Sequence, residues 1–423
     1  MAIAEATNEV ITTADGVPLK VSLKKALWQR KKTALLLVAP LFLFVMITFL
    51  IPIFDMLLRS VDNSVVSEQF PSVVVEIRRW EISSTELPDE ATFQALFEDF
   101  KVGAKAKTIS RLGRRLNYEQ SGMSSLFRKT ARKIKKLETP ESATEAMIGL
   151  DKKWGKLGTW QVIKRESSNY TSSYYLSAID AEKKSDGSVG MKSEDRQVYM
   201  GLFWRTLRLS TTITLLTIIL GYPIAYLLAT VTTKTSNMLI ILVLLPFWTS
   251  LLVRTSAWIA LLQKEGVIND ILVGIGVLSD DGRLAMIHNE TGTIIAMTHI
   301  LLPFMILPLF SVMKTIPPSW VRAARSMGAT PFTAFVRVYL PNTIAGIGAG
   351  GILVFILAIG YYITPALVGG TNGTLISNFI AHHISTSLNW GLAAALGAIL
   401  LGIVLVLYIL YDKVVGISNM RLG

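Results

Sequence analysis

Few side chains in this sequence could do chemistry, and they are widely spaced. Residues 316–341 read IPPSWVRAARSMGATPFTAFVRVYLP, and every charge in that stretch is basic: Arg322, Arg325 and Arg337. Arg254 stands in apolar surroundings, where facing lipid is costly, so it faces protein, water or an interface. It reads equally as a gate or substrate contact and as an interfacial anchor beside Trp248 and Trp258. His299 is alone among apolar residues. With no carboxylate near it in sequence, a hydrogen-bonded packing role is favoured over proton relay. Gly346, Gly348 and Gly351 formally match G-x-G-x-x-G, but the run follows Pro341 rather than a strand. Small residues that let helices approach closely explain it better than a dinucleotide site. There is no Walker A run, no HExxH and no GxSxG, and cysteine is absent. No catalytic constellation, metal site or cofactor of the chain's own is expected.

The elements that must position these residues are membrane spans. The chain has 423 residues, 51% of them hydrophobic, with a mean hydropathy of +0.47, which is too apolar for a soluble protein of this size. The net charge of +12 could suggest nucleic acid, but basic cytoplasmic loops are the simpler cause. Residues 33–54 form 22 uncharged positions after a basic tail, long enough to span and longer than a signal-peptide core. Further spans are predicted at 209–233, about 237–262, 291–313, within 342–381 and at 384–411. The 342–381 stretch is long enough for a span plus a partly re-entrant loop. Six spans with both termini cytoplasmic put 13 Lys/Arg inside and six outside, with the insertion between the first two spans set aside.

That insertion is the charged part of the chain. Residues 61–203 hold 23 Lys/Arg and 20 Asp/Glu, against 19 and 10 in the other 280 residues. Phe93, Leu96, Phe97 and Phe100 recur at helical spacing, and Trp154, Trp160, Tyr170, Tyr174 and Tyr175 suggest a small core. The expectation is a mostly helical, translocated domain with a solvated charged surface. The boundaries read as a cytoplasmic tail 1–32, a first span 33–58, a periplasmic insertion 59–203, a core 204–415 with five spans, and a tail 416–423.

The basic stretch is expected to fold as two short helices around a glycine. Ser319 is a candidate N-cap, with helix from Trp320 to Met327 and Gly328 at the C′ position. Thr330 offers a second N-cap with Pro331 at N1, and the second helix is predicted to end at Pro341. The result would be a compact, bent projection that another protein can grip.

The spacing of this stretch resembles the EAA signature of permease subunits in prokaryotic ABC importers. Ala323 and Ala324 are followed by three residues and Gly328, and nine residues later by Val338, Tyr339, Leu340 and Pro341. Arg322 stands where the family often has Glu, and Val338 replaces Ile. Further segments resemble the spermidine/putrescine-type branch: Leu220 to Tyr226, Leu245 to Ser250 with Arg254 and Trp258, Leu302 to Leu309, and Tyr361 to Gly370. The resemblance implies an all-α, polytopic, type I ABC importer permease fold with six transmembrane helices in a bacterial inner membrane. It implies a second, identical or homologous permease, a periplasmic substrate-binding protein, and two cytoplasmic ATPases that use ATP–Mg and receive the loop at Arg322, Ala323, Ala324, Gly328, Pro331, Leu340 and Pro341. The chain itself would not be an enzyme and would not bind nucleic acid. If the cargo is a polyamine, Trp248, Trp258, Tyr361 and Tyr362 could hold its ammonium groups by cation–π attraction, with packing or an interface belt as the competing reading. An opine-like compound or amino acid is the alternative cargo. A membrane-anchored scaffold or sensor acting through the insertion is the alternative function.

Overall fold

The computed structural model describes residues 19–184 and 188–415; the expected tail 416–423 and the first 18 residues of the expected tail 1–32 lie outside the described residues, and the rest of that first tail is helical. The chain divides into two units, 1–58 and 59–423. The first is dominated by one long helix, Leu19–Val45, which continues through a π turn, Met46–Leu50, into Ile51–Arg59. The wide turn falls just before Pro52, which has no N–H to donate and whose ring crowds the carbonyl four residues back.

In the second unit, residues 59–198 form a helical domain on a core of their own. Phe93, Leu96, Phe97 and Phe100 lie on one buried face of the Glu90–Ala106 helix, as their spacing predicts. They meet Phe70, Phe127, Trp154 and Trp160 in a cluster of rings 4.6–6.0 Å apart. Both buried indoles are satisfied: Trp154 donates to Thr130 Oγ1 and Trp160 to the Trp154 carbonyl, each at 2.9 Å. A short antiparallel pair, Ala181–Lys183 with Val189–Met191, is the only strand structure among the described residues. Tyr170, expected in the core, is 75% exposed. Tyr174 belongs to a separate cluster with Leu202, Phe203, Ile376, Leu392 and Leu396, where the domain meets the last long helix.

The membrane part contains four long apolar helices in the second unit: Tyr199–Thr230, Glu290–Thr315, Pro331–Gly360 and Trp390–Lys413. With the first helix that makes five of spanning length among the described residues. The stretch expected to be a single third span is instead a pair, Thr233–Trp248 and Leu251–Gly274, bent by 93°, and counting it as one span gives six. Pro246 lies in the first turn of a 3-10 helix, Leu245–Trp248, and Ser250 caps the next helix by accepting from Val253 N at 3.2 Å, so the break is written locally. After Gly360 the chain makes two short helices, Ile363–Val368 and Ile376–Ser385, before the last long helix.

Glu290–Thr315 is the central helix, packed against Tyr199–Thr230 and Leu340–Gly360. The close approach needs glycine. A Cβ at Gly350 would sit 2.7 Å from Met305 Sδ, and one at Gly346 would sit 3.1 Å from Leu309 Cα. The formal G-x-G-x-x-G match is thus a helix-packing face. Buried hydroxyls tie the short helices to the bundle: Thr206 accepts from Ile376 N at 2.9 Å, and Thr293 donates to the Gly373 carbonyl at 3.0 Å.

Candidate coupling loop and membrane site

The basic stretch begins with the helix Pro318–Ser326. Its N-cap is Pro317, not Ser319, because Pro318 takes the N1 position, where a missing N–H is harmless. The C-terminus is a full Schellman motif: Ala329 N donates to Ala324 O at 3.1 Å and Gly328 N to Arg325 O at 3.0 Å. Gly328 has φ +93°, the left-handed conformation this motif requires. Thr330 caps the next helix by accepting from Thr333 N at 3.2 Å, with Pro331 at N1. Thr330→Ala should destabilise this turn by about 1 kcal/mol. Faster amide exchange at Thr333 in deuterium-exchange mass spectrometry, with slow exchange kept in the Leu340–Gly360 helix, is the check.

The expected stop at Pro341 does not occur. Pro331–Ala334 runs through a π turn, Phe335–Tyr339, directly into Leu340–Gly360. As at Pro52, the wide turn accommodates the proline, and Asn342 Nδ2 donates to the freed region at Val338 O (2.6 Å). Leu340 and Pro341 therefore belong to a membrane helix that begins in the loop.

The loop has an inner and an outer face. Ala324, Ala334 and Tyr339 are buried. Arg322, Ala323, Arg325, Gly328, Pro331 and Arg337 are exposed, and among the described residues none of the three arginines is ion-paired. Trp320, Met327 and Phe332 are 48%, 83% and 76% exposed, three large apolar side chains presented by a basic projection. Behind it lies an aromatic clamp. Phe335 and Tyr339 pack on Tyr222 and Tyr226 of the Tyr199–Thr230 helix, with centroids 5.3–6.1 Å apart. Sequence reasoning missed these four rings; the signal was the i, i+4 spacing on each helix.

The candidate pathway residues do not converge into one cage. Arg254 donates to the carbonyls of Pro246 and Thr249, bracing the bend, and its guanidinium lies 5.7 Å from the Phe247 ring. Trp258 donates to His299 Nδ1 at 3.1 Å, which gives His299 a bonded packing role. Tyr361 packs at the edge of the bundle core and its carbonyl accepts from Ser377. Trp248 and Tyr362 are 75% and 47% exposed. Among the described residues no two of the rings of Trp248, Trp258, Tyr361 and Tyr362 are in contact. The described residues contain no group of three or more His, Asp or Glu that could hold a metal ion.

These features define a membrane-embedded helical core with one structured projection. Residues 204–416 match the family described as binding-protein-dependent transport system inner membrane component, and the chain belongs to that family. It is a permease subunit of an ABC importer and a multi-pass inner-membrane protein. Over 219 residues it is 35% identical to the spermidine/putrescine transport system permease protein PotB of Haemophilus influenzae, covering 51% of this chain and 76% of that one. It is 32% identical over 214 residues to the PotB protein of Escherichia coli K12 (50% and 77%). A third relative, the inner membrane ABC transporter permease protein YdcU of Escherichia coli K12, is 34% identical over 222 residues (50% and 70%).

Proposed function

We propose that this chain is one of two permease subunits, identical or related, that carry a polyamine across the inner membrane. The cargo rests on the relatives that are named as spermidine/putrescine permeases. Two cytoplasmic ATPases, using ATP–Mg, grip the projections of the pair. The observation that carries the coupling role is the exposure of Trp320, Met327 and Phe332 on a projection whose Phe335 and Tyr339 pack on the Tyr199–Thr230 helix. An ATPase that moves this surface would move a spanning helix with it, through the packing of Phe335 and Tyr339 on that helix. Arg322, where the family often has Glu, would meet an acidic or carbonyl-rich surface on its ATPase. Both termini lie in the cytoplasm, and the 59–203 domain faces the periplasm, where a substrate-binding protein delivers the cargo.

The test is ATPase activity of the assembled complex in nanodiscs, with its binding protein and a ligand panel led by putrescine and spermidine. Stimulation by a polyamine is the expected result. Stimulation only by an opine or an amino acid would overturn the cargo and keep the class.

A further inference from the structure

The helical domain is seated on the head of the last membrane helix by specific contacts. Tyr118 Oη donates to the Ser387 carbonyl at 2.6 Å. Gly391 lets the ring of Tyr174 lie against the backbone, where any Cβ would collide with it. Leu388 adopts φ +56° in the connecting turn, and Asn389 caps the helix by accepting from Leu392 N at 3.3 Å. Between these fastenings a cleft of about 160 Å³ is left open. Arg59, Arg111, Arg114, Asp62, Asn389 and Trp390 line it.

The cleft is basic, and it lies at the edge of the membrane. The Ile109–Asn117 helix buries Ile109, Leu112, Arg115 and Leu116, which leaves Arg111 and Arg114 on its outer side. Among the described residues neither is ion-paired, in contrast to Arg115, which Glu119 and Glu166 neutralise at 2.8 and 2.7 Å. Arg59 lies 5.8 Å over the ring of Trp390. Trp390 is the first residue of a helix long and apolar enough to cross the membrane, the position at which tryptophan settles among headgroups. The surrounding surface has the same sign: residues 101–136 carry 12 Lys/Arg and a single acidic residue, Glu119.

We propose that this cleft binds the phosphate of an anionic phospholipid headgroup, with Arg111 and Arg114 as its charge partners and Trp390 marking its depth. Guanidinium forks match phosphate oxygens in geometry as well as charge. A lipid held there would fill the gap between the domain and the last membrane helix, and would make the seating of the domain sensitive to lipid composition.

The experiment is native mass spectrometry of the full chain from micelles carrying equal dioleoyl phosphatidylglycerol and dioleoyl phosphatidylcholine. The wild-type chain should retain phosphatidylglycerol preferentially. Arg111→Gln/Arg114→Gln should lower that retention by about 25-fold, at roughly fivefold per basic residue near an anionic surface. Arg114→Lys, which keeps the charge, should lose far less. Arg128→Gln/Lys129→Gln, in the same basic run but outside the cleft, should leave retention unchanged. Equal retention of the two lipids, or equal loss in the two double variants, would overturn the site. A melting temperature raised by inorganic phosphate with no retained phosphatidylglycerol would assign the cleft to a free anion and overturn the lipid.

Discussion

Gly328→Asp should insert into the membrane at wild-type levels yet lose cargo uptake. The residue sits at φ +93°, where an L side chain is strained by about 1–2 kcal/mol. That strain alone shifts the population of the docked turn by roughly 5–30-fold. Space is not the cause, because a Cβ at this position would meet no atom within 4 Å. The backbone part of the defect is therefore conformational, and it should be graded by tolerance of the left-handed region. Gly328→Asn should keep most uptake and Gly328→Val should lose most of it, while Gly328→Asp, which tolerates the left-handed region as Asn does, should lose uptake through its negative charge at a helix C-terminus and against the acidic ATPase surface proposed to meet the arginines. Uptake of labelled cargo, normalised to the amount of protein in the membrane, measures the series. ATPase co-purification should fall in the same order. Uptake by Gly328→Val equal to wild type would remove the turn from the coupling role.

The same loop shows which features were legible in the sequence. Gly328 and Thr330 were, because a Schellman turn and an N-cap are closed by groups within a few residues. Pro341 was misread as a stop. A proline ends a helix only when the turn before it cannot widen, and here the π turn Phe335–Tyr339 absorbs the ring. The bend at 249–250 was partly visible in Pro246 and Ser250, but an apolar run of spanning length, interrupted only by Arg254, outweighed them. The clamp of Tyr222, Tyr226, Phe335 and Tyr339 joins residues more than a hundred positions apart, a pairing that periodicity alone does not reveal. In the inserted domain the helical spacing of Phe93, Leu96, Phe97 and Phe100 identified the core. Tyr174 looked like part of it, yet it faces Gly391, because only the fold decides which helix meets which. The candidate pathway residues were chosen by type. Arg254 is the instructive case, since its guanidinium braces the backbone of the bend. A bent helix needs donors for its freed carbonyls just as a pathway needs a charge, and the sequence does not separate the two needs.

Glu166→Ala should be the most damaging single change in the inserted domain. The Glu166 side chain is fully buried and takes Arg115 at 2.7 Å and Arg165 at 3.1 Å, while Glu119 joins the same two arginines at 2.8 and 3.4 Å. Asn63 completes the network, accepting from Arg115 Nε at 2.8 Å and donating to the Glu166 carbonyl at 2.9 Å. Burial acts to lower the pKa of Arg115, but the neighbouring Tyr174, Glu166 and Glu119 hold it above its usual value, so it stays protonated. Tyr174, 4.7 Å from that guanidinium, is itself pushed up to about 12 by burial and stays neutral. Removing Glu166 therefore leaves a charge that cannot be shed and that water cannot reach. Losing one partner of such a pair costs about 3–5 kcal/mol, a large share of the stability of a domain of this size. Replacing both partners with apolar residues costs far less than breaking the pair, so Arg115→Met/Glu166→Leu should recover much of the loss. Thermal melting of the full chain in detergent, followed by the fluorescence of buried Trp154 and Trp160, separates these outcomes. The network also holds Tyr174 where it seats the domain on Gly391. The single variant should consequently lose transport as well as melting temperature, and the double variant should regain both together. A Glu166→Ala chain that melts like wild type would mean the network adds no stability, and the seating would then rest on the Tyr118–Ser387 and Tyr174–Gly391 contacts alone.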